Sequence, residues 1–290
     1  MKKKIIKIIL FFLILLIILV IISAILIPKN NSEEAGMNNI QAMGILGEKE
    51  NTIDVIVYGD SEAMASIMPK KIWKDYGFTT YVCATSGQSL PDTCRIAYET
   101  LKHQKPKIVI LEADNIFNSV GIAVPIARVL NILLPVTEYH DRWKNLSKED
   151  FFGKIEYTTI DENKGYYYVE KTEPADDSKY MQPSDEIEKV PFLNKIYVKF
   201  LKSYCESKGI QFAIVSAPSC KNWNYKKHNG MKEFTEKENI EFSDSEVDKE
   251  ASKLAENYGM TKEELIQEFG GIDVVKYDMK MRKAIDILKG

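Results

Sequence analysis

The sequence predicts an α/β protein with a doubly wound parallel sheet, because short apolar strands alternate with helical segments along the chain. Four runs have the length and composition of buried strands: 53–58, 78–84, 107–113 and 210–217. Segments with helical spacing of apolar residues follow or separate them, at 62–76, 91–103, 194–207 and 225–237. A fifth, short strand is predicted at 240–242.

Glycines and prolines mark the ends of these elements. Gly77 ends the first helix of the domain and Gly209 ends the helix before the fourth strand. Pro91 begins the helix after the second strand, and Pro106 lies just beyond its end. The third strand, 107–113, is apolar over most of its length, as expected for a strand that is covered on both faces.

The amino-terminal segment predicts a membrane anchor. Lysines precede an apolar run from Ile8 to Ile27, in which Ser23 is the one polar residue. Such a run spans a bilayer as a helix, and the preceding lysines keep that end in the cytoplasm. A cleaved signal peptide is the alternative, although its apolar stretch is usually shorter. We therefore divide the start of the chain into an anchor, 1–28, and a polar flexible stalk, 29–51.

Composition excludes some functions. The 39 basic residues are offset by 42 acidic ones, so no nucleic-acid partner is expected. The four cysteines, Cys83, Cys94, Cys205 and Cys220, have no metal-like spacing and are interpreted as small buried side chains. No metal and no cofactor is predicted.

An insertion at 118–190 interrupts the alternation of strands and helices. It is rich in aromatic residues, and such insertions often form a lid or a wall that faces the substrate.

Polar residues follow each predicted strand, at the sheet edge where open α/β sheets bind their ligands. Gly59-Asp60-Ser61 follows the first strand, a Ser-Gly-Gln turn around Gly87 the second, and Asp114 and Asn115 the third. Ser219, Asn222 and Trp223 follow the fourth. We expect these residues to converge.

With these residues, segment 54–242 resembles the SGNH (GDSL-like) hydrolase superfamily, and in particular its membrane-anchored members from bacterial surfaces. The resemblance implies a flavodoxin-like sheet and a domain at 52–242. It implies that Ser61, within Gly-Asp-Ser beside Asp60, is the nucleophile. Gly87 and Asn115, with the Ser61 amide, would be oxyanion donors, which typically contribute about 3–4 kcal/mol each.

Each of these residues also has a structural interpretation. Ser61 serves as well as the N-cap of its helix, Gly87 as a turn glycine and Asn115 as a turn cap. The third block also departs from the family's Gly-x-Asn-Asp, because it reads Ala113-Asp114-Asn115-Ile116.

The catalytic histidine of the family is missing. The resemblance implies an Asp-x-x-His block after the fifth strand, and none of His103, His140 and His228 lies in such a block. The segment around His140, with Arg142 and Trp143, resembles the insertion of the anchored relatives. There the resemblance implies substrate contacts rather than a base, and Trp223 is a further candidate contact.

The carboxyl-terminal segment, about 236–290, resembles a different family, the C-terminal chaperone region of bacterial trigger factor. The matching stretches lie around Glu246, Tyr258, Phe269 and Met281. Capping-box patterns at Ser243/Glu246 and Thr261/Glu264 predict an all-helical tail over 243–290. Trigger factor is cytosolic, whereas the anchor places the tail outside the cell. The sequence therefore has the character of a chimera, from either a real fusion or misassembled sequence.

Three functions follow from the sequence. The first is an anchored extracytoplasmic acyl-ester hydrolase or acyltransferase for cell-envelope glycans or glycopolymers, inactive here for want of its histidine. The second is a non-catalytic carbohydrate-binding module that uses the same cleft. The third, least favoured, is a peptide-binding chaperone fragment.

Overall fold

The computed structural model describes residues 2–170, 174, 180–237, 252, 255–256 and 260–264. Its strands are β1 (Val55–Gly59), β2 (Thr80–Ala84), β3 (Ile108–Glu112) and β4 (Gln211–Val215). Its α-helices are α1 (Lys2–Leu26), α2 (Ile40–Met43), α3 (Ser61–Ser66), α4 (Pro69–Tyr76), α5 (Leu90–His103), α6 (Ala123–Leu133), α7 (Val136–Tyr139), α8 (Lys148–Phe152), α9 (Phe192–Ser207) and α10 (Tyr225–Lys237). Short 3₁₀ helices lie at Gly44–Gly47, Asp114–Ile116 and His140–Asn145.

The four strands form one parallel sheet in the order β2-β1-β3-β4. The observed strands lie within the predicted ones, with ends that differ by at most two residues, except that β1 also includes Gly59. The fifth predicted strand, 240–242, lies outside the described residues. The chain is therefore α/β with a parallel sheet, while the finer, flavodoxin-like assignment stays a prediction.

Side chains of β1 alternate between two separate apolar clusters, so the sheet is covered on both faces. Val55 and Val57 pack with residues that precede and follow α4, whereas Ile56 and Tyr58 pack with α5 and α9. The Tyr58 hydroxyl lies 2.6 Å from Thr100 Oγ1 of α5, which gives this buried polar group a partner.

The helix predicted at 62–76 is two helices. α3 ends at Ser66 and α4 begins at Pro69, because a proline has no backbone N–H to continue a helix and instead favours its first turn. Gly77 ends α4 in the left-handed conformation, as predicted.

The segment 29–51 differs from the flexible stalk that its polar composition predicts. Asn31 is fully buried, and its side chain bonds the backbone of Met43 and of Thr159. Ala42 and Ile45 lie in the main core. The polar residues of this segment satisfy buried backbone groups, so the segment is part of the domain.

The insertion divides into parts that lie against different elements. Its helices α7 and α8 contact α1, and the Val136 N–H donates to Ser23 Oγ at 3.0 Å. Further along, Lys164 accepts a hydrogen bond from the Val82 N–H of β2, and the Tyr167 N–H donates to the Met64 carbonyl of α3. This second part lies beside α3, the helix that carries Ser61.

α1 is the one helix in the described part of the chain that is long and apolar enough to cross a membrane, although a signal sequence would pass the same test. Only 6% of its most apolar stretch is buried.

Three of the four cysteines are buried thiols, as predicted, and Cys220 is exposed. In the tail, the predicted capping box is confirmed at Thr261 and Glu264, whose side chains and backbone N–H groups bond reciprocally. The remaining predicted tail features, including Ser243/Glu246, lie outside the described residues.

Candidate functional site

The predicted site residues follow three adjacent strands. Ser61 begins α3 after β1, Gly87 lies after β2, and Asn115 lies in the 3₁₀ helix after β3. In the order β2-β1-β3-β4, β1 is the central strand of these three. From β1 the chain first adds β2 on one side and then crosses to add β3 on the other side. The point between β1 and β3 is therefore a topological switch point, where open α/β sheets bind ligands.

Ser61 is exposed, and the side chain of the preceding residue caps its helix. Asp60 Oδ1 accepts the Glu62 N–H at 3.0 Å, so Asp60 rather than Ser61 is the N-cap. The alternative cap role for Ser61 is therefore taken by its neighbour. Ser61 is left at the first helical position with its hydroxyl at the surface.

Gly87 adopts a φ of +66°, which favours glycine. A Cβ at this position would meet nothing within 4 Å. Glycine is therefore favoured here by the backbone conformation of the turn, and not by close packing against a neighbour. The buried Gln88 stabilises the turn, because its Nε2 donates to the Cys83 carbonyl and to Thr93 Oγ1.

Asn115 is fully buried, and both its Nδ2 and Oδ1 lack a hydrogen-bond partner within the described residues. Unpaired buried amides are rare, because desolvation without a partner costs about 1–3 kcal/mol. An oxyanion donor must be free in the resting state, and Asn115 meets that requirement. Because Asn115 is fully buried, a ligand can reach this amide only if the residues that cover it move.

Side chains from β3 and from the region after β4 meet at the same edge. Glu112 Oε1 accepts the N–H of Asp114 at 3.1 Å and of Ala217 at 3.3 Å. Burial, with a smaller contribution from the nearby carboxylates of Asp60 and Asp114, raises the pKa of Glu112 to about 7, although the hydrogen bonds from the backbone of Asp114 and Ala217 act to lower it. Burial likewise raises the pKa of Asp60.

A salt bridge joins α10 to the end of β3. Lys227 Nζ lies 2.7 Å from Asp114 Oδ1, and both side chains are largely buried. Glu62 Oε1 connects α3 to the same region, since it accepts from Ser219 Oγ at 3.3 Å and from Asn222 Nδ2. These contacts join the ends of β1, β3 and β4 at one edge of the sheet, whereas the convergence of Ser61, Gly87 and Asn115 stays a prediction.

Sequence reasoning expected Asp114 at this edge but missed Glu112 and Lys227. The signal for Glu112 was a carboxylate at the end of an otherwise apolar strand. The signal for Lys227 is weaker, because its pairing with Asp114 spans 113 residues.

The candidate substrate contacts belong to two separate segments, with His140, Arg142 and Trp143 in one 3₁₀ helix and Trp223 after β4. Trp223 is buried and packs edge-on against Phe117, so its ring belongs to the core. Arg142 donates to the Leu26 carbonyl at the end of α1 and pairs with Asp150 at 2.6 Å. Trp143, beside it, is 66% exposed.

The three histidines, which are the candidates for a general base at Ser61, lie in three different segments. His103 ends α5, and its ring contacts Tyr157. His140 is exposed and lies 3.6 Å from Asp141, in the segment that contacts α1. His228 lies in the first turn of α10, one residue after Lys227, with its ring against Tyr225. No group of three or more metal-binding side chains occurs among the described residues.

Comparison with known proteins identifies the carboxyl-terminal segment. Residues 230–290 match the family described as bacterial trigger factor protein C-terminus. The chain is 53% identical over 51 residues to trigger factor of Bacillus subtilis, which is 18% of this chain and 12% of that protein. It is 39% identical over 54 residues to trigger factor of Staphylococcus epidermidis, 19% of this chain and 12% of that protein.

The predicted resemblance of the tail is thereby confirmed. The chain spans about an eighth of the length of these relatives, and the match lies outside the site at Ser61. No solved structure matches the chain. The SGNH resemblance of the α/β domain stays a prediction.

Proposed function

We propose that the α/β domain is a serine-hydrolase-like module that binds acyl esters of cell-envelope glycans at Ser61, with little or no turnover. The proposal rests on one juxtaposition: the exposed Ser61, the left-handed Gly87 turn and the unpaired Asn115 amide follow three adjacent strands at the switch point. Turnover would need a base, and none of His103, His140 and His228 lies in the Asp-x-x-His block that the resemblance implies.

The anchor belongs to the same proposal. α1 would hold the domain on the outer face of the membrane, because lysines precede its apolar run. A non-catalytic carbohydrate-binding module is the closest alternative at the same edge, and it differs in needing no reaction at Ser61.

A fluorophosphonate probe tests the site. We expect slow labelling of the membrane-inserted chain that is lost in Ser61→Ala and kept in the matched control Ser66→Ala, which changes an exposed serine of the same helix. Asn115→Ala should slow labelling further, by roughly 10²–10³-fold if the amide acts as an oxyanion donor.

Two results would contradict this proposal. Labelling that is equal in Ser61→Ala and the unchanged chain would exclude a reactive Ser61 and favour the carbohydrate-binding alternative. Fast labelling would mean that a base is present, and His140→Ala and His228→Ala would then identify it.

The comparisons favour a second function, for the tail. We propose that residues 238–290 bind unfolded polypeptide segments, because they match the C-terminus of trigger factor, and this match is the stronger comparative support of the two. That family works in the cytosol, so the tail and the anchor imply opposite sides of a membrane.

Truncation after Lys237 tests the tail. The full chain should slow aggregation of an unfolded client protein, whereas residues 1–237 should not, with equal amounts of each in the same lipid particles. Equal suppression by both would assign the effect to the α/β domain or to lipid, and would refute peptide binding by the tail.

A further inference from the structure

The apolar face of α6 points outward and its polar face points towards the domain, which is the reverse of a helix on a water-soluble surface. Ile122, Ile126, Val129 and Leu133 are 73%, 56%, 54% and 67% exposed, and their spacing puts them on one face. No residue of α6 is buried. Soluble helices turn such a stripe towards the core.

The opposite face of α6 is polar and points inward. Arg128 pairs with Asp92 of α5, and Asn131 Oδ1 accepts the Thr137 hydroxyl at 2.8 Å. Arg128 and Asn131 line a polar cavity of about 360 Å³, together with Asn38, Asn39, Asp92, Arg95, Thr137 and Glu138. The polar residues of α6 thus hold the helix on the domain, and its apolar residues are left outside.

The segment after α6 lies against the last turns of α1. The Val136 N–H bonds Ser23 Oγ at 3.0 Å, and Arg142 Nη1 bonds the Leu26 carbonyl at 2.5 Å. Ser23 precedes the end of the apolar run at Ile27 by four residues, which is about 6 Å at helical rise. A helix that lies in a membrane interface is buried by about 5–10 Å.

Two exposed aromatic residues lie further along the insertion, in helices that also contact α1. Trp143 is 66% exposed and Phe152 89% exposed, each near helices that contact α1. Tryptophan is enriched at membrane interfaces. We call the six side chains the apolar patch: Ile122, Ile126, Val129, Leu133, Trp143 and Phe152.

We propose that the apolar patch lies in the outer leaflet of the membrane that α1 spans, so that the domain rests on the bilayer and is not merely tethered to it. This proposal rests on the proposed anchor. Its occupant is phospholipid. Val136 and Arg142 bond Ser23 Oγ and the Leu26 carbonyl, so the segment that carries the patch lies beside α1, whose apolar side chains are exposed.

Nitroxide depth measurements test the proposal in the full chain. The chain carries Cys220→Ser, which removes the exposed thiol, and is inserted in phosphatidylcholine–phosphatidylglycerol vesicles. Single labels are placed at Ile126→Cys, at Val20→Cys in α1 and at the exposed Ser66→Cys. Oxygen, which partitions into lipid, and a water-soluble nickel complex are then compared as relaxing agents.

We expect the label at 126 to prefer oxygen over nickel several-fold more than the label at 66, and the label at 20 to prefer it most. The double change Val129→Glu and Leu133→Glu should abolish the preference at 126 and leave that at 20 unchanged. The matched control Phe200→Glu, which alters an exposed aromatic of α9, should change neither.

The outcomes separate the two proposals. A label at 20 that is accessible to nickel would refute the anchor. Oxygen preference at 20 with nickel accessibility at 126 would refute the patch and leave the anchor intact. Shielding of 126 from both agents would mean that a protein, such as a second copy of this chain, covers the patch, which would also refute contact with lipid.

Discussion

Glu112 should make the stability of the α/β domain depend on pH in a predictable direction. Burial raises the pKa of this carboxyl from 4.5 to about 7. Between these two values the unfolded chain releases the Glu112 proton while the folded chain retains it. The unfolded state then binds fewer protons, so the free energy of unfolding falls as the pH rises through this window.

The magnitude follows from the shift. Each pKa unit corresponds to about 1.4 kcal/mol, so Glu112 costs the folded state about 3 kcal/mol above pH 7 relative to pH 4. Glu112→Gln removes this titration while its amide oxygen still accepts the N–H groups of Asp114 and Ala217. The variant should therefore gain stability relative to the unchanged chain as the pH rises.

Urea unfolding at pH 5 and pH 8, followed by the fluorescence of the buried Trp223, measures the effect. The difference in free energy of unfolding between Glu112→Gln and the unchanged chain should grow by about 2–3 kcal/mol between these pH values. The exposed Glu50→Gln is the control and should show no such change. An equal difference at both pH values, or a larger one at pH 5, would refute the role given to burial.

The same unfolding assay checks three further predictions. Gly59→Ala should cost about 1–3 kcal/mol, because its Cβ would lie 2.8 Å from Glu112 Cβ; an unchanged midpoint would show that β1 and β3 are less closely packed. Lys227→Met should cost about 3–5 kcal/mol by leaving the buried Asp114 unpaired, and a neutral result would mean that Asp114 is solvated. Gly77→Ala should cost about 1 kcal/mol through its φ of +77° alone, since no atom is near; a stabilised variant would contradict that conformation.

Local patterns predicted the sheet well because the information is local. A strand such as β3 is a short apolar run between polar segments, and a glycine such as Gly77 ends a helix whatever surrounds it. The exposed Ser61 and the turn at Gly87 were predicted for the same reason. Each depends on its position relative to the end of a strand.

Long-range contacts could not be predicted in this way. The polar composition of 29–51 predicts flexibility, yet Asn31 is buried by partners such as Thr159, 128 residues further along. The apolar spacing of α6 does not tell whether its stripe faces the core or a membrane, because that depends on where α1 lies. The same limit applies to Glu112, whose partner Ala217 comes from the segment after β4.

The two parts of this chain are physically joined through α10. The match to trigger factor begins at residue 230, inside that helix. Met231 and Phe234 are nevertheless buried in the core of the α/β domain, and a Cβ at Gly230 would collide with the Glu188 carbonyl. A cut at residue 230 would therefore open the core, whereas a cut after Lys237 keeps these contacts. The structural boundary between the α/β domain and the tail thus lies after α10, beyond the first residues that match trigger factor. α10 is part of the α/β domain whatever the origin of the tail.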